Sequence, residues 1–171
     1  MFLWPELKEF VRRVLWVDTL YQSQCPHLGL TYKIAFESDN DGWHYNPNDG
    51  VVTLLLQTPD KGGEFEYAPN IRSATDENLA AVQAVLEGDR APVIALELRP
   101  GDLQIFCGRY SLHRVTRVGA ESAPRHAAIF AYTAEPGVIG RVERTRQLFG
   151  RVLPVHEQAE ISRVRSDSLR D

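Results

Sequence analysis

Apolar residues near the N-terminus recur at spacings of three and four: Leu7, Phe10, Val11, Val14 and Leu15. Pro5 stands where a first helical turn tolerates proline, so the pattern predicts a helix over residues 5–21. Cys25-Pro26-His27 breaks it, and residues 28–37, with Leu30, Tyr32, Ile34 and Phe36, read as a strand. A polar turn over 38–42 leads to apolar β-type runs at 51–57 and 64–67, separated by the turn-rich Thr58-Pro59-Asp60-Lys61-Gly62-Gly63. Thr75 is a capping candidate for a short amphipathic helix bearing Leu79, Val82, Val85 and Leu86, which Gly88 ends. Further strands are expected at 91–98, 103–107, 113–118 and 125–133, and a last helix at 139–149. Beyond Pro154 the chain turns polar and charged, and a loosely held end is expected.

Six or more short strands with two or three helices imply a mainly β fold, a two-sheet sandwich or jelly roll with helices outside. No repeat or linker interrupts it. The whole of 1–171 reads as one domain: N-terminal helix 5–21, barrel core about 28–137, C-terminal helix and tail 138–171. Its 43% hydrophobic and 25% charged residues suit a packed core rather than a disordered chain. A net charge of −4 argues against nucleic acid as partner, since phosphate binding needs a basic patch, but leaves room for a local basic pocket. Cys25 and Cys107 are too few for a disulfide framework and read as reduced thiols of a cytoplasmic protein. No signal peptide opens the chain, and no apolar run is long enough to span a membrane.

Chemistry concentrates in two places. Trp43-His44-Tyr45-Asn46 sets a histidine two residues before an oxygen-bearing side chain, so that on a strand both face the same way. Much later comes Arg109-Tyr110-Ser111-Leu112-His113-Arg114, followed by Arg125. Singly, each histidine is more often structural than functional. Together, His44 and His113 supply two neutral imidazoles for a divalent metal, and their wide separation excludes a helical His-x-x-x-His zinc motif. Ligands from two strands facing one cavity fit better. His27, His126 and His156 lack such company and read as structural.

Trp43-His44-Tyr45-Asn46, Leu54-Leu55-Leu56-Gln57, Gly62-Gly63-Glu64-Phe65-Glu66-Tyr67, Pro100-Gly101-Asp102, Leu112-His113-Arg114-Val115 and Arg125-His126-Ala127 occur in order and at matching intervals. The chain resembles the non-haem Fe(II)/2-oxoglutarate-dependent oxygenases over roughly 28–137, and in particular those that hydroxylate or halogenate free amino acids. The resemblance implies a double-stranded β-helix (cupin-like), with Fe(II) and 2-oxoglutarate as cofactors. It implies His44 and His113 as iron ligands and Arg125 as the residue gripping the far carboxylate of 2-oxoglutarate, with Arg117 as understudy. Arginine suits that task because its planar fork holds a carboxylate at two points. The implied reaction consumes O2, releases succinate and CO2, and oxidises an unactivated C–H of a small polar substrate, an amino acid or derivative. Relatives carry more chain before the barrel, so the short N-terminal part reads as a truncation or a minimal version.

One position departs from the pattern. The hydroxylases carry Asp or Glu two residues after the first histidine; the halogenating relatives carry Gly or Ala, leaving room for halide. Here Asn46 stands there, a neutral and weaker ligand. It ligates through its carbonyl oxygen, or stands beside a water or anion that does, or marks an impaired iron site; Asp49 is a substitute in principle. Trp43, Glu66 and Arg72 are candidate substrate contacts, with Glu64 and Tyr67 along the mouth and Arg109 and Tyr110 behind His113. The alternatives are a non-catalytic small-molecule-binding barrel, a halide-using variant, and, more weakly, a cupin-like isomerase or hydrolase. A homodimer is left open.

Overall fold

The computed structural model describes residues 1–162 and 169. In chain order the elements are α1 (Pro5–Val14), β1 (Tyr21–Gln22), β2 (Leu30–Ala35), β3 (Asp41–His44), β4 (Gly50–Gln57) and β5 (Phe65–Ala68). They continue with α2 (Leu79–Leu86), β6 (Ile94–Leu96), β7 (Leu103–Cys107), β8 (Leu112–Val115), β9 (Arg125–Thr133), α3 (Val142–Phe149) and α4 (Pro154–Ile161).

The strands form two antiparallel sheets. One runs β1-β9-β4-β7, with β2 also pairing β9; the other runs β3-β8-β5-β6. Strands adjacent in space are mostly distant in sequence, the mark of a jelly roll rather than of hairpins. Period-two alternation then sorts every strand residue to one of two fates. On the larger sheet, Val51, Thr53, Phe106, Arg125, Ile129 and Ala131 face inward. Their neighbours Val52, Phe130 and Tyr132 face outward and are buried under Leu7 and Val11 of α1. On the smaller sheet, Phe65, His113 and Val115 face inward, while Ala68 and Leu112 pack outward with Ile71 against Val85 of α2. Val51, Phe65 and Phe106 close the space between the sheets into an aromatic and aliphatic core.

Several boundaries differ from expectation for identifiable reasons. The first helix stops at Val14 because Trp16, at φ 56, turns the chain back: Val17 N–H reaches Arg12 O at 3.2 Å and Trp16 N–H reaches Arg13 O at 3.2 Å. That is a Schellman stop with a bulky residue where glycine is usual, and it frees Tyr21–Gln22 to pair with β9. The tail is also more ordered than its polarity suggests. Residues 154–161 form α4, with His156 fully buried, and Leu169 is buried as well; the rest of that expectation, over 163–168 and 170–171, lies outside the described residues. Among the described residues, no helix is long and apolar enough to cross a membrane.

Candidate metal and carboxylate site

His44 on β3 and His113 on β8 stand directly opposite each other in the ladder, with ring centroids 4.2 Å apart. The register between these strands shifts: Asp41 opposes Val115 while His44 opposes His113, so β3 spends one residue more than β8. This bulge cancels the alternation that would set Asp41 and His44 on opposite faces, and both line the same cavity. Each imidazole is oriented from behind. His44 Nδ1–H donates to Gly42 O at 2.7 Å and His113 Nδ1–H donates to Ser111 O at 2.8 Å. Both Nε2 atoms are therefore lone-pair nitrogens, the tautomer a metal requires. Burial lowers the pKa of His44, and burial together with the neighbouring His44 lowers that of His113 to about 3, so both rings are neutral near pH 7.

Asn46 follows β3, anchored by its N–H to Gly108 O at 2.9 Å, and its Nδ2 donates to His113 Nε2 at 3.1 Å. Gly108 is glycine because of this approach: a Cβ there would lie 3.0 Å from Asn46 Cβ and 2.5 Å from Val51 Cγ2. Asp49 does not stand in for a carboxylate ligand, because its Oδ2 accepts the Ala134 N–H at 2.9 Å. Among the described residues no cluster of three His, Cys, Asp or Glu side chains is placed to hold a metal. The residues thus fit a divalent ion through two imidazoles, with a neutral amide, able to turn its oxygen inward, as third donor.

The cavity between the sheets has a volume of about 550 Å³, in the range that takes small ligands. Arg125 enters it from the first residue of β9 with 5% exposure. Gly63 makes room for its stem, since a Cβ there would sit 3.3 Å from Arg125 Cδ. Gly62 lies at φ +68 with the Arg117 carbonyl packed where a side chain would project. Among the described residues Arg125 has neither hydrogen-bond nor ion-pair partner, and burial lowers its pKa. Arg117 is exposed and outside the cavity, so it is no understudy.

Of the three candidate substrate contacts, Glu66 and Arg72 are placed outside the cavity and Trp43 at its border. Glu66 faces the outside of the smaller sheet, where it pairs with Arg90 at 2.5 Å and Arg114 at 2.6 Å; strand alternation puts it opposite to Phe65. Burial works to raise its pKa, and the two arginines outweigh that and lower it. Arg72 is pinned by Glu77 at 2.8 Å and by the Arg109 carbonyl at 2.8 Å, with its guanidinium 3.6 Å from the Tyr45 ring centroid. Trp43 borders the cavity, but Arg114 lies 4.7 Å from its ring centroid and the ring packs against the outer cluster of Ala68, Ile71, Val85 and Leu112. Arg109 is fully buried and donates to Leu169 O at 3.4 Å, so Ser111 rather than Arg109 orients His113.

Sequence reasoning missed Lys33, Asp41 and Arg144, all of which line the cavity. Lys33 pairs with Asp41, and Arg144 comes from α3 with Leu148 one turn on. Helical spacing puts Arg144 and Leu148 on one face, yet nothing in that periodicity says which face meets the barrel.

No family model matches the chain, and a search of curated proteins finds none similar to it. Solved structures do share its architecture. An oxidoreductase of the 2OG-Fe(II) oxygenase family from Burkholderia pseudomallei is 14% identical with a TM-score of 0.55, over 77% of this chain and 52% of its own. AviO1 from Streptomyces viridochromogenes Tue57 is 15% identical with a TM-score of 0.52, over 78% of this chain and 59% of its own. The matched part thus spans little more than half the length of these two structures. At such identities the likeness speaks for the backbone, and the chain has the jelly-roll fold on which a 2OG-Fe(II) oxygenase is built.

Proposed function

We propose that this protein is an Fe(II)/2-oxoglutarate-dependent oxygenase that oxidises an unactivated C–H of a small polar substrate, an amino acid or a derivative of one. The observation that carries the reading is the convergence of two neutral, backbone-oriented imidazoles with a buried arginine that has no ion-pair partner among the described residues, all in one cavity. His44 and His113 would hold the metal, with Asn46 as a neutral third donor. Arg125 would receive the distal carboxylate of 2-oxoglutarate through its two-pronged guanidinium. When bound, the iron and 2-oxoglutarate would supply the oxidising power from O2, with succinate and CO2 as co-products.

The chain's own contribution is orientation and exclusion of water. The carbonyls of Gly42 and Ser111 hold both Nδ1 protons, which keeps both Nε2 atoms unprotonated, and the Asn46 amide would have to turn to free that of His113. Phe65 and Phe106 lie 5.7 Å and 4.9 Å from the His113 ring by centroid and keep bulk water from that side.

One observation favours a second reading, a small-molecule-binding barrel without iron chemistry. Asn46 points an N–H at the very His113 nitrogen that a metal needs, and brings no negative charge. A halide-using variant is the remaining alternative, with an anion beside Asn46. Anaerobic titration with Fe(II) and 2-oxoglutarate, followed by admission of O2, separates these. Succinate formation supports the oxygenase. Tight 2-oxoglutarate binding without succinate, at every substrate tried, would leave the binder. Dependence of turnover on chloride would point to the halide-using form.

A further inference from the structure

Among the described residues, the charged side chains that line the cavity are Lys33, Asp41, Arg125 and Arg144. Asp41, the one carboxylate among them, is engaged by Lys33. Arg144 bonds only to a neutral group, the Gln147 amide oxygen at 3.2 Å, and has no ion-pair partner among the described residues. It lines the same cavity as the His44 and His113 rings. With Lys33 and Asp41 cancelling, two guanidinium charges remain uncompensated among the described residues. Loading does not remove the excess: a divalent metal and dianionic 2-oxoglutarate cancel, and Asn46 contributes no charge where a carboxylate would have subtracted one. Arg125 is committed to the cosubstrate in that arrangement. Arg144 is left.

We propose that Arg144, on α3, is the substrate's anion site, so that the molecule oxidised carries a carboxylate that this guanidinium holds while its apolar body lies against Leu148 and Phe149. The inference rests on the oxygenase reading of the same cavity and specifies its substrate class. An uncompensated cation in a half-enclosed cavity favours an anion and repels a cation. A substrate presenting only an ammonium or guanidinium would meet Arg144 and Arg125 with no free carboxylate among the described residues to offset them. Leu148 and Phe149 also line the cavity beside Arg144, so one short helix supplies both the charged and the apolar contact. A zwitterionic amino acid enters on the same terms, through its carboxylate.

The test uses the full chain loaded with redox-inert Ni(II) and 2-oxoglutarate, titrated calorimetrically with matched pairs of probes. N-acetylvaline, N-acetylleucine and N-acetylphenylalanine are each compared with their primary amides, which keep the shape and drop the charge. At least one acid is expected to bind tenfold or more tightly than its amide. Arg144→Gln should abolish that preference while leaving 2-oxoglutarate affinity within about twofold, and Arg144→Lys should restore part of it. The proposal is overturned if no acid outbinds its amide on the native chain, or if Arg144→Gln, melting like the native protein, keeps the preference. A native chain that fails to bind 2-oxoglutarate at all refutes the oxygenase reading instead. In that event the same acid and amide titration on the metal-free chain decides the anion site alone.

Discussion

Two groups of arginines border the smaller sheet, and they are treated in opposite ways. On its outer side Arg90 and Arg114 share Glu66 and crowd the Trp43 ring, and Arg72 is locked to Glu77. In the cavity behind the same sheet, Arg125 and Arg144 have no carboxylate among the described residues, and the one acid present belongs to Lys33. The outer set satisfies itself and holds strands together. The inner set has no such partner among the described residues. A buried guanidinium costs stability unless it is paired, so an unpaired one inside a cavity marks where binding energy is held in reserve.

The comparison breaks most sharply at Arg125. Arg125→Met should weaken 2-oxoglutarate binding by about 2–5 kcal/mol, measured by calorimetry on Ni(II)-loaded protein, while the unliganded variant melts no lower than the native chain. A lower melting temperature with unchanged affinity would place Arg125 with the outer, structural set. Next in size is Asn46→Asp, which adds a carboxylate beside the two imidazoles. Fe(II) affinity, followed by anaerobic titration, should rise by about tenfold or more because the new ligand brings charge; unchanged affinity would mean that position 46 does not reach the metal.

A third expectation concerns acid. Burial, with the neighbouring His44, holds His113 at a pKa of about 3 in the fold against an ordinary imidazole value of 6.5. The unfolded chain therefore takes up this proton first as pH falls. The contribution is intact above about pH 6.5 and is lost progressively towards pH 3, at no more than about 1.4 kcal/mol per pH unit from this group. Denaturant melts of metal-free protein at pH 7 and pH 5 should show it, with a shallower fall for His113→Leu. The smallest effect is expected outside. Glu66→Gln should cost about 1 kcal/mol in the same melts, limited because Arg90 and Arg114 keep contact with water, and should leave 2-oxoglutarate affinity unchanged.

Much of this was legible in the chain before folding. His44, Asn46, His113 and Arg125 stand out because imidazole and guanidinium are rare answers to ordinary packing needs, and because the motifs around them keep order and interval. The paired glycines are also explained: Gly62 turns the chain at positive φ and Gly63 yields to the arginine stem. Glu66 misled for a simple reason. Composition shows an acid near the motif, but only alternation against a known inward neighbour, Phe65, tells which side of the sheet it serves. Asp41 was hidden by the bulge in β3, since a single extra residue inverts the face and leaves no mark in the hydrophobic pattern.

By itself the sequence determined the β-rich architecture, the two imidazoles and the arginine that suits a carboxylate, because alternation, turn residues and side-chain chemistry are local properties. Only the tertiary structure decided which charges meet. Lys33, Asp41 and Arg144 come from a strand, a bulge and a C-terminal helix that share no sequence neighbourhood. Whether a charge is cancelled or left over depends on distances across the fold, and a linear pattern does not carry those.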